Sequence, residues 1–296
     1  MLNWDDMRVF LAVARAESLS GAGKQLTMDP ATVGRRIARL EEGMAATLFV
    51  KSPQGYALTE TGQRILEHAN RAEQALIGAD DAVRGPGDAL SGTIRLGAPD
   101  GCANFLLPQV CARIGEAHPE LDIQIVALPR VVNLSKREVD MAIAVSPPAS
   151  GRLTVQKICD YHLYLAAMPF YLKNSPPVET IEDLKDHRII GYIPDMIFDR
   201  ELDYLSGLGI SQPDLASNSV AVQFQWVRMG SGIGIVHGFA LRHAPRMRLL
   251  LEDQFSLTRS FYLVRHEDDR KVNRLNRLAE LLVEEVRREM LELEPA

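Results

Sequence analysis

The stretch that decides the fold runs Ser18-Leu19-Ser20-Gly21-Ala22-Gly23-Lys24-Gln25-Leu26-Thr27-Met28-Asp29-Pro30-Ala31-Thr32-Val33-Gly34-Arg35-Arg36-Ile37-Ala38-Arg39-Leu40-Glu41. It reads as two short helices joined by a tight turn. Ser20 is placed to cap the first helix, and Ala22 is small enough for close helix packing. The turn is Thr27-Met28-Asp29. Asp29 offers a carboxylate to free backbone N–H groups, and Pro30 suits the first helical position, where its missing N–H costs nothing. In the second helix Val33, Ile37 and Leu40 recur at i, i+4 and i+7, which predicts an inward face. Thr32, Arg35, Arg36 and Arg39 fall on the other side. An apolar back and an Arg/Thr front suit the DNA major groove, where Arg forks onto guanine and Thr meets a thymine methyl or a phosphate. A solvated basic face fits the same helix, because charge runs commonly mean only solvation.

The flanking segments favour the first reading. Before the pair, Met7, Phe10, Leu11 and Ala14 follow amphipathic helical spacing and predict a third helix over Asp5 to Glu17. After it, Leu48-Phe49-Val50-Lys51 and Tyr56-Ala57-Leu58 read as strands about the turn Ser52-Pro53-Gln54-Gly55. A hairpin there forms a wing beside the recognition helix, with Lys51 placed for phosphate.

Charge distribution points the same way. The 296-residue chain carries a formal net charge of -6. Residues 1–58 hold seven Lys/Arg against six Asp/Glu, so the acid lies in the remainder. That suits a small DNA-binding head on an acidic body. No apolar run approaches a membrane span, and the acidic start Asn3-Trp4-Asp5-Asp6 lacks the features of a signal peptide, so the expected compartment is the cytoplasm.

Residues 4–66 resemble the winged helix-turn-helix of LysR-type transcriptional regulators. The resemblance is carried by Met7 to Ala14, Ser18 to Leu26, Ala31 to Glu41, Leu48-Phe49 and Leu58-Thr59-Glu60-Thr61-Gly62, in order and spacing. Three positions depart from the family pattern. Met28-Asp29-Pro30 stands where Ser-Gln-Pro or Ser-Gln-Ser is common, Gly34 replaces a common Ser, and Gly23 a frequent Ala. Both glycines lower helix propensity. The candidate DNA-contacting residues are Ser20, Ala31, Thr32, Arg35, Arg36, Arg39 and Lys51.

Thr59 is placed to cap a long helix from Glu60. Ile65, Ala69, Ala72, Leu76, Ala79 and Val83 form a heptad seam along it. Pairing with a second copy buries such a seam; packing on the protein's own body is the alternative. The resemblance favours a homodimer through this linker helix and implies a homotetramer built from two dimers. Gly85-Pro86-Gly87-Asp88 ends the helix and marks a domain boundary. The expected division is a head over 1–59, a linker over 60–88 and an effector domain over 89–296.

Beyond residue 88 strands and helices alternate, which predicts a mostly parallel sheet. Expected strands cover 93–98, 122–128, 141–145, 161–167, 189–192, 234–236 and 261–264. Expected helices cover 102–117, 134–138, 219–229 and 269–293. Residues 92–293 resemble the LysR effector domain, an α/β fold of two lobes similar to periplasmic solute-binding proteins. It carries matching landmarks at Gly97 to Gly101, Leu134 to Ile143 and Gly230 to Val236. The resemblance implies one lobe of about 92–162 and 266–296 and another of about 163–265, with chain crossings near Tyr161–Ala167 and Leu263–His266.

In such folds a ligand binds where strand ends meet helix N-termini. The candidate effector-binding residues are Pro99, Asp100, Gly101, Cys102, Asn104, Asn133, Ser146, Tyr192, Asn218 and Ser219. Asp100 either repels an anion, favouring a neutral or amino-bearing effector, or caps its own helix. His237 reads more simply as a structural histidine than as a cleft residue.

No motif calls for catalysis: there is no Gly-x-Ser-x-Gly, no phosphate-binding Gly-x-x-x-x-Gly-Lys and no carboxylate pair. No cofactor or metal is expected, since Cys102, Cys111 and Cys159 lack ligand spacing. They read as small buried apolar residues; Cys102, near a helix N-terminus, is the one position for a redox switch. The leading function is a regulator binding double-stranded promoter DNA and a small-molecule effector. A solute-binding receptor and a cysteine-based redox-sensing regulator are the alternatives.

Overall fold

The computed structural model describes residues 3–52, 55–84, 90–128, 138–149 and 151–294. The chain forms two compact units, one built on the N-terminal segment and a larger one built from most of the remaining chain.

In the N-terminal unit, α1 (Trp4–Ala16), α2 (Leu19–Leu26) and α3 (Pro30–Met44) surround a core of Phe10, Val13, Ala22, Val33, Ile37, Leu40 and Leu48. The cap of α2 is Ser18 and not Ser20. Ser18 has the extended backbone a cap requires and accepts from Gly21 N at 3.0 Å, whereas Ser20 already lies inside the helix, exposed. Asp29 caps α3 by accepting from Ala31 N at 2.8 Å, with Pro30 opening the helix. Gly23 is buried where a Cβ would lie 2.6 Å from the Met28 carbonyl, so the turn folds back onto α2 only over a glycine. That close approach offsets its propensity cost.

The wing is β1 (Phe49–Ser52) paired antiparallel with β2 (Gly55–Leu58). Pro53 and Gln54 of the expected turn lie outside the described residues. The first strand starts after Leu48, and Glu41 Oε1 anchors its entry by accepting from the Leu48 and Phe49 N–H groups at 2.6 and 3.1 Å. Helix α4 (Glu60–Arg84) is capped as expected, Gly62 N donating to Thr59 Oγ1 at 2.9 Å. A Cβ on Gly62 would come within 2.1 Å of the Leu48 carbonyl, which explains a glycine one turn into this helix.

The expected seam divides. Ile65 and Ala69, with Leu66, pack into the head's own core. Ala72, Leu76 and Ala79 are exposed, Leu76 at 50%. The Val83 side chain, the boundary Gly85–Asp88, and Asn133 with the expected helix from Leu134 to Arg137 lie outside the described residues.

The larger unit contains β3 (Gly92–Pro99), α5 (Asp100–Phe105), α6 (Leu107–Ala117), β4 (Leu121–Leu128), β5 (Met141–Ala144), β6 (Leu153–Ala167), α7 (Pro169–Lys173) and β7 (Ile189–Gly191). It continues with β8 (Leu215–Ala216), α8 (Val220–Arg228), β9 (Ile233–His237), β10 (Arg248–Leu250), β11 (Leu257–His266) and, from Arg277 on, α9 (Asn273–Leu293), whose first residues belong to the N-terminal unit. The sheet runs β4-β3-β5-β11-β6-β9-β7-β8, with β10 also on β6. It is less parallel than expected. The pairs β3–β4, β3–β5, β7–β8 and β7–β9 are parallel, but every pair involving β6 or β11 is antiparallel. These two strands pair with each other from Leu153↔His266 to Leu163↔Leu257.

Three elements differ in extent. The helix expected over 102–117 begins at Asp100 and breaks at Leu106, because Pro108 just beyond lacks the N–H a continuous helix needs. Strand β6 starts at Leu153, because pairing with β11 from Leu153↔His266 onward carries the ladder through a partly exposed first half. Helix α9 starts at Asn273, after a three-ten turn over Glu267–Lys271. Its expected inner face, Leu275, Leu278, Leu282, Val286 and Met290, is buried, as is Val272 just before it. Among the described residues no helix is long and apolar enough to cross a membrane.

Candidate nucleic-acid interface and effector-binding site

The head presents one face of α3 outward. Burial of Val33, Ile37 and Leu40 turns Ala31, Thr32 and Arg35 toward solvent, Arg35 donating to Thr32 Oγ1 at 3.0 Å. Ser20 is exposed near the start of α2. Lys51 is exposed on the wing, its ammonium 5.8 Å from the centre of the Tyr56 ring.

Arg36 and Arg39 differ from this set. Asp6 of α1 is only 3% exposed, and Arg39 forks onto it through Nε at 2.8 Å and through Nη2, while Arg36 Nη1 lies at 3.5 Å. The hydrogen bond and the charge of Asp6 push the Arg39 guanidinium further above its already high range. Both arginines therefore fasten α3 to α1, and their donors are partly used. The signal in the sequence was Asp6 itself, an acid at helical spacing from Val9, Phe10 and Val13 on the inward face.

In the larger unit the structure brings Asp100 and Ser219 together. Asp100 does not cap its own helix, whose N-cap is Pro99. It caps α8: Asp100 Oδ2 accepts from Ser219 Oγ and from Ala221 N, both at 3.0 Å. Ser219 Oγ in turn accepts from Val222 N at 3.3 Å. The N-terminus of α8, where an anion would otherwise sit, is thus filled by a side chain of the chain itself. Asn104 turns back, its Nδ2 donating to the Asp100 carbonyl at 2.8 Å and to Oδ1 at 3.1 Å. Gly101 is buried against the His237 ring, 3.1 Å from where a Cβ would stand. Asn218 is half-buried beside Ser219.

Tyr192 and Ser146 belong to a different place. A cavity of about 660 Å³ opens between β7, β9 and the three-ten turns at Pro194–Met196, Arg200–Leu202 and Ser206–Leu208. Tyr192 lines it, with Tyr204, Phe198, aliphatic residues such as Ile190, Ile197 and Ile210, and the polar Asp199, Arg200, Asp203 and Gln223. Ser146 reaches it indirectly by donating to Asp199 Oδ2. Of the expected effector residues among those described, Tyr192 alone lines this cavity; the turns that form most of it carried no motif.

Behind it sits an aromatic cluster. Tyr192 and Tyr204 meet edge to face at 5.7 Å, His237 lies 6.1 Å from Tyr204, and Tyr161 stacks on both His237 at 5.5 Å and Phe261 at 4.2 Å. Burial pushes the Tyr161, Tyr192 and Tyr204 phenols up, so all three stay protonated, and pushes His237 down to about 3, so it stays neutral. The buried Tyr161 and Tyr204 hydroxyls interact with each other, and His237 Nδ1 is buried with no hydrogen-bond partner among the described residues.

All three cysteines are free thiols. Cys102 is fully buried, and burial raises its thiol well above the ordinary range, opposite to the thiolate expected near a helix N-terminus. Burial likewise pushes Cys111 up to about 11 and Cys159 up to about 12. Among the described residues no cluster of His, Cys, Asp and Glu could hold a metal.

A helix-turn-helix with a wing, followed by a two-lobed α/β unit with a cavity, defines a one-component DNA-binding sensor. Residues 4–63 match the family described as bacterial regulatory helix-turn-helix protein, lysR family, and residues 87–287 match the LysR substrate binding domain. The chain belongs to the LysR-type transcriptional regulators. It is 26% identical over 255 residues to the HTH-type transcriptional regulator PtxR of Pseudomonas aeruginosa, covering 84% of this chain and 81% of PtxR. It is 28% identical over 239 residues to the HTH-type transcriptional activator TtdR of Escherichia coli K12, covering 77% and 75%. Full-length OxyR C199D from Pseudomonas aeruginosa shares the fold, with a TM-score of 0.73 at 15% identity over 97% of this chain and 98% of that one.

Proposed function

We propose that this regulator works in the cytoplasm on double-stranded promoter DNA, with Thr32 and Arg35 of α3 reading base edges and Ser20, Ala31 and Lys51 contacting the backbone or groove wall. The observation that carries the reading is a helix buried along Val33, Ile37 and Leu40, with Ala31 and Arg35 exposed and Thr32 half-buried between them. Arg36 and Arg39 keep the helix at its angle through Asp6. We assign the head to 1–59, the linker to 60–88 and the effector domain to 89–296, its lobes at about 92–162 with 266–296 and about 163–265.

Two copies pair through the exposed half of the α4 seam, Ala72, Leu76 and Ala79, giving two recognition helices for two half-sites. Pairs of dimers form the tetramer. A small effector bound in the larger unit prefers one arrangement of subunits and so shifts the spacing of the heads; equal affinity for both arrangements would shift nothing. The test is selection of genomic fragments by the full-length protein followed by footprinting. Protected half-sites about one helical turn apart, or a multiple of it, are expected. Uniform retention of all fragments would count against a sequence-reading head.

A further inference from the structure

Asp29, the cap of α3, and Thr32 and Arg35 within the helix stand three residues apart. That spacing sets them in one stripe along the helix. The hydrogen bond from Arg35 to Thr32 Oγ1 at 3.0 Å shows the last two side by side. Asp29 and the neighbouring Pro30 and Ala31 are exposed, so no bulky side chain shields the carboxylate. A recognition helix reaches base edges through its N-terminal residues, and in zinc fingers side chains at this spacing meet three successive bases. Asp29 is thus the leading member of the stripe whose other members are Thr32 and Arg35.

The turn holds this carboxylate in place. Met28 N donates to the Gly23 carbonyl at 2.8 Å, and the Asp29 carbonyl accepts from Thr32 N at 2.9 Å and Val33 N at 3.1 Å. Asp29 Oδ1 accepts from Ala31 N at 2.8 Å, which leaves Oδ2 without a partner among the described residues. A carboxylate only accepts hydrogen bonds. In the major groove guanine shows two acceptors, N7 and O6, and thymine shows O4 and a methyl. Adenine has a donor at N6 flanked by the acceptor N7, whereas cytosine shows its N4 donor alone. Repulsion from the acceptors of the wrong bases adds to the discrimination.

We propose that Asp29 is a specificity-determining residue that selects cytosine at one base pair of each half-site, its Oδ2 accepting from the cytosine N4 amine, a reading that rests on α3 as the DNA-reading helix. At about 1.5 Å per residue, Asp29 and Arg35 lie about 9 Å apart along the helix. The cytosine therefore stands about two to three base pairs from the pair that Arg35 contacts.

The experiment selects binding sites for the full-length protein from a random duplex library, using wild type, Asp29→Asn, Asp29→Ser and Arg35→Ala. Asn and Ser cap helices as well as Asp does, so the variants should melt close to wild type; if one does not, the other carries the comparison. Wild type should select cytosine at one pair, two or three from the pair that Arg35→Ala relaxes. Asp29→Asn should keep the rest of the site and admit adenine at that pair, because an amide can serve both N6 and N7. Asp29→Ser should leave the pair undetermined, since a hydroxyl both donates and accepts. In competition gel shifts on duplexes differing only there, wild type should favour cytosine over adenine by about tenfold, and each variant by no more than about twofold. The same base at every pair in wild type and both variants overturns the proposal, as does a wild-type preference for another base at the pair that changes; in either case the head still reads DNA. If wild type selects no site at all, α3 does not read sequence, and both readings fall together.

Discussion

Asp100 ties two distant parts of the larger unit, and its worth can be measured. The carboxylate accepts two bonds at 3.0 Å from the first turn of α8, one from Ser219 Oγ and one from Ala221 N. Hydrogen bonds to charged groups contribute about 1.5–3 kcal/mol when buried, and loss of a helix cap costs about 1 kcal/mol. Asp100 and Ser219 are half-buried, so Asp100→Ala should cost about 2 kcal/mol in total. Ser219→Ala removes one of the two bonds, and the pair should show a coupling of about 1 kcal/mol in a double-mutant cycle. Trp226, on α8, reports the transition, in a Trp4→Phe background that silences the head. Urea unfolding should shift its midpoint with an unchanged slope. A loss below about 0.5 kcal/mol, or a coupling of zero, would refute a carboxylate tether at this helix.

Three further perturbations test other parts of the structure. Gly62→Ala places a Cβ 2.1 Å from the Leu48 carbonyl and should destabilise the head by about 1–3 kcal/mol, read as a lower melting midpoint; an unchanged midpoint contradicts the close approach. His237 is held down to about 3 by burial, so the unfolded chain binds a proton that the folded chain excludes between about 3 and the ordinary value of 6.5. Stability from this residue is complete above pH 6.5 and falls by up to about 1.4 kcal/mol per unit as pH drops through that window; His237→Phe should remove that part of the slope, and an unchanged slope contradicts the buried neutral ring. Leu76→Lys should weaken self-association of the full chain in sedimentation experiments without lowering the head's melting midpoint, and an unaltered mass distribution would count against pairing through α4.

The head was readable because its signals are local. A turn residue, a proline and a 3.6-residue period each act within one or two helical turns, and Asp29, Pro30, Val33, Ile37 and Leu40 stand as expected. The error at Ser20 is one of registration: Ser18 and Ser20 are chemically alike, and only the extended backbone at Ser18 separates them. The Asp6–Arg39 pair was hidden because its partners are 33 residues apart. Asp100 was recognised as a capping residue, but the helix it caps lies 119 residues away. The cavity was the least visible part. Three-ten turns between 194 and 208 have no period to detect, and the polar groups behind them come from β6, β9 and the turn segment. Strands β6 and β11 were underestimated because strand pairing, not apolar alternation, sustains their exposed portions.

The central claim is that α3 reads DNA through Thr32 and Arg35. Its most direct test is a salt titration of the full-length protein on a selected promoter fragment and on random DNA, comparing wild type with Arg35→Ala. Specific binding should weaken steeply as salt rises, with log K falling linearly against log salt. Arg35→Ala should lose about 1–3 kcal/mol on the promoter and far less on random DNA. Equal losses on both would reduce Arg35 to a phosphate contact, and no preference for the promoter in wild type would contradict the claim.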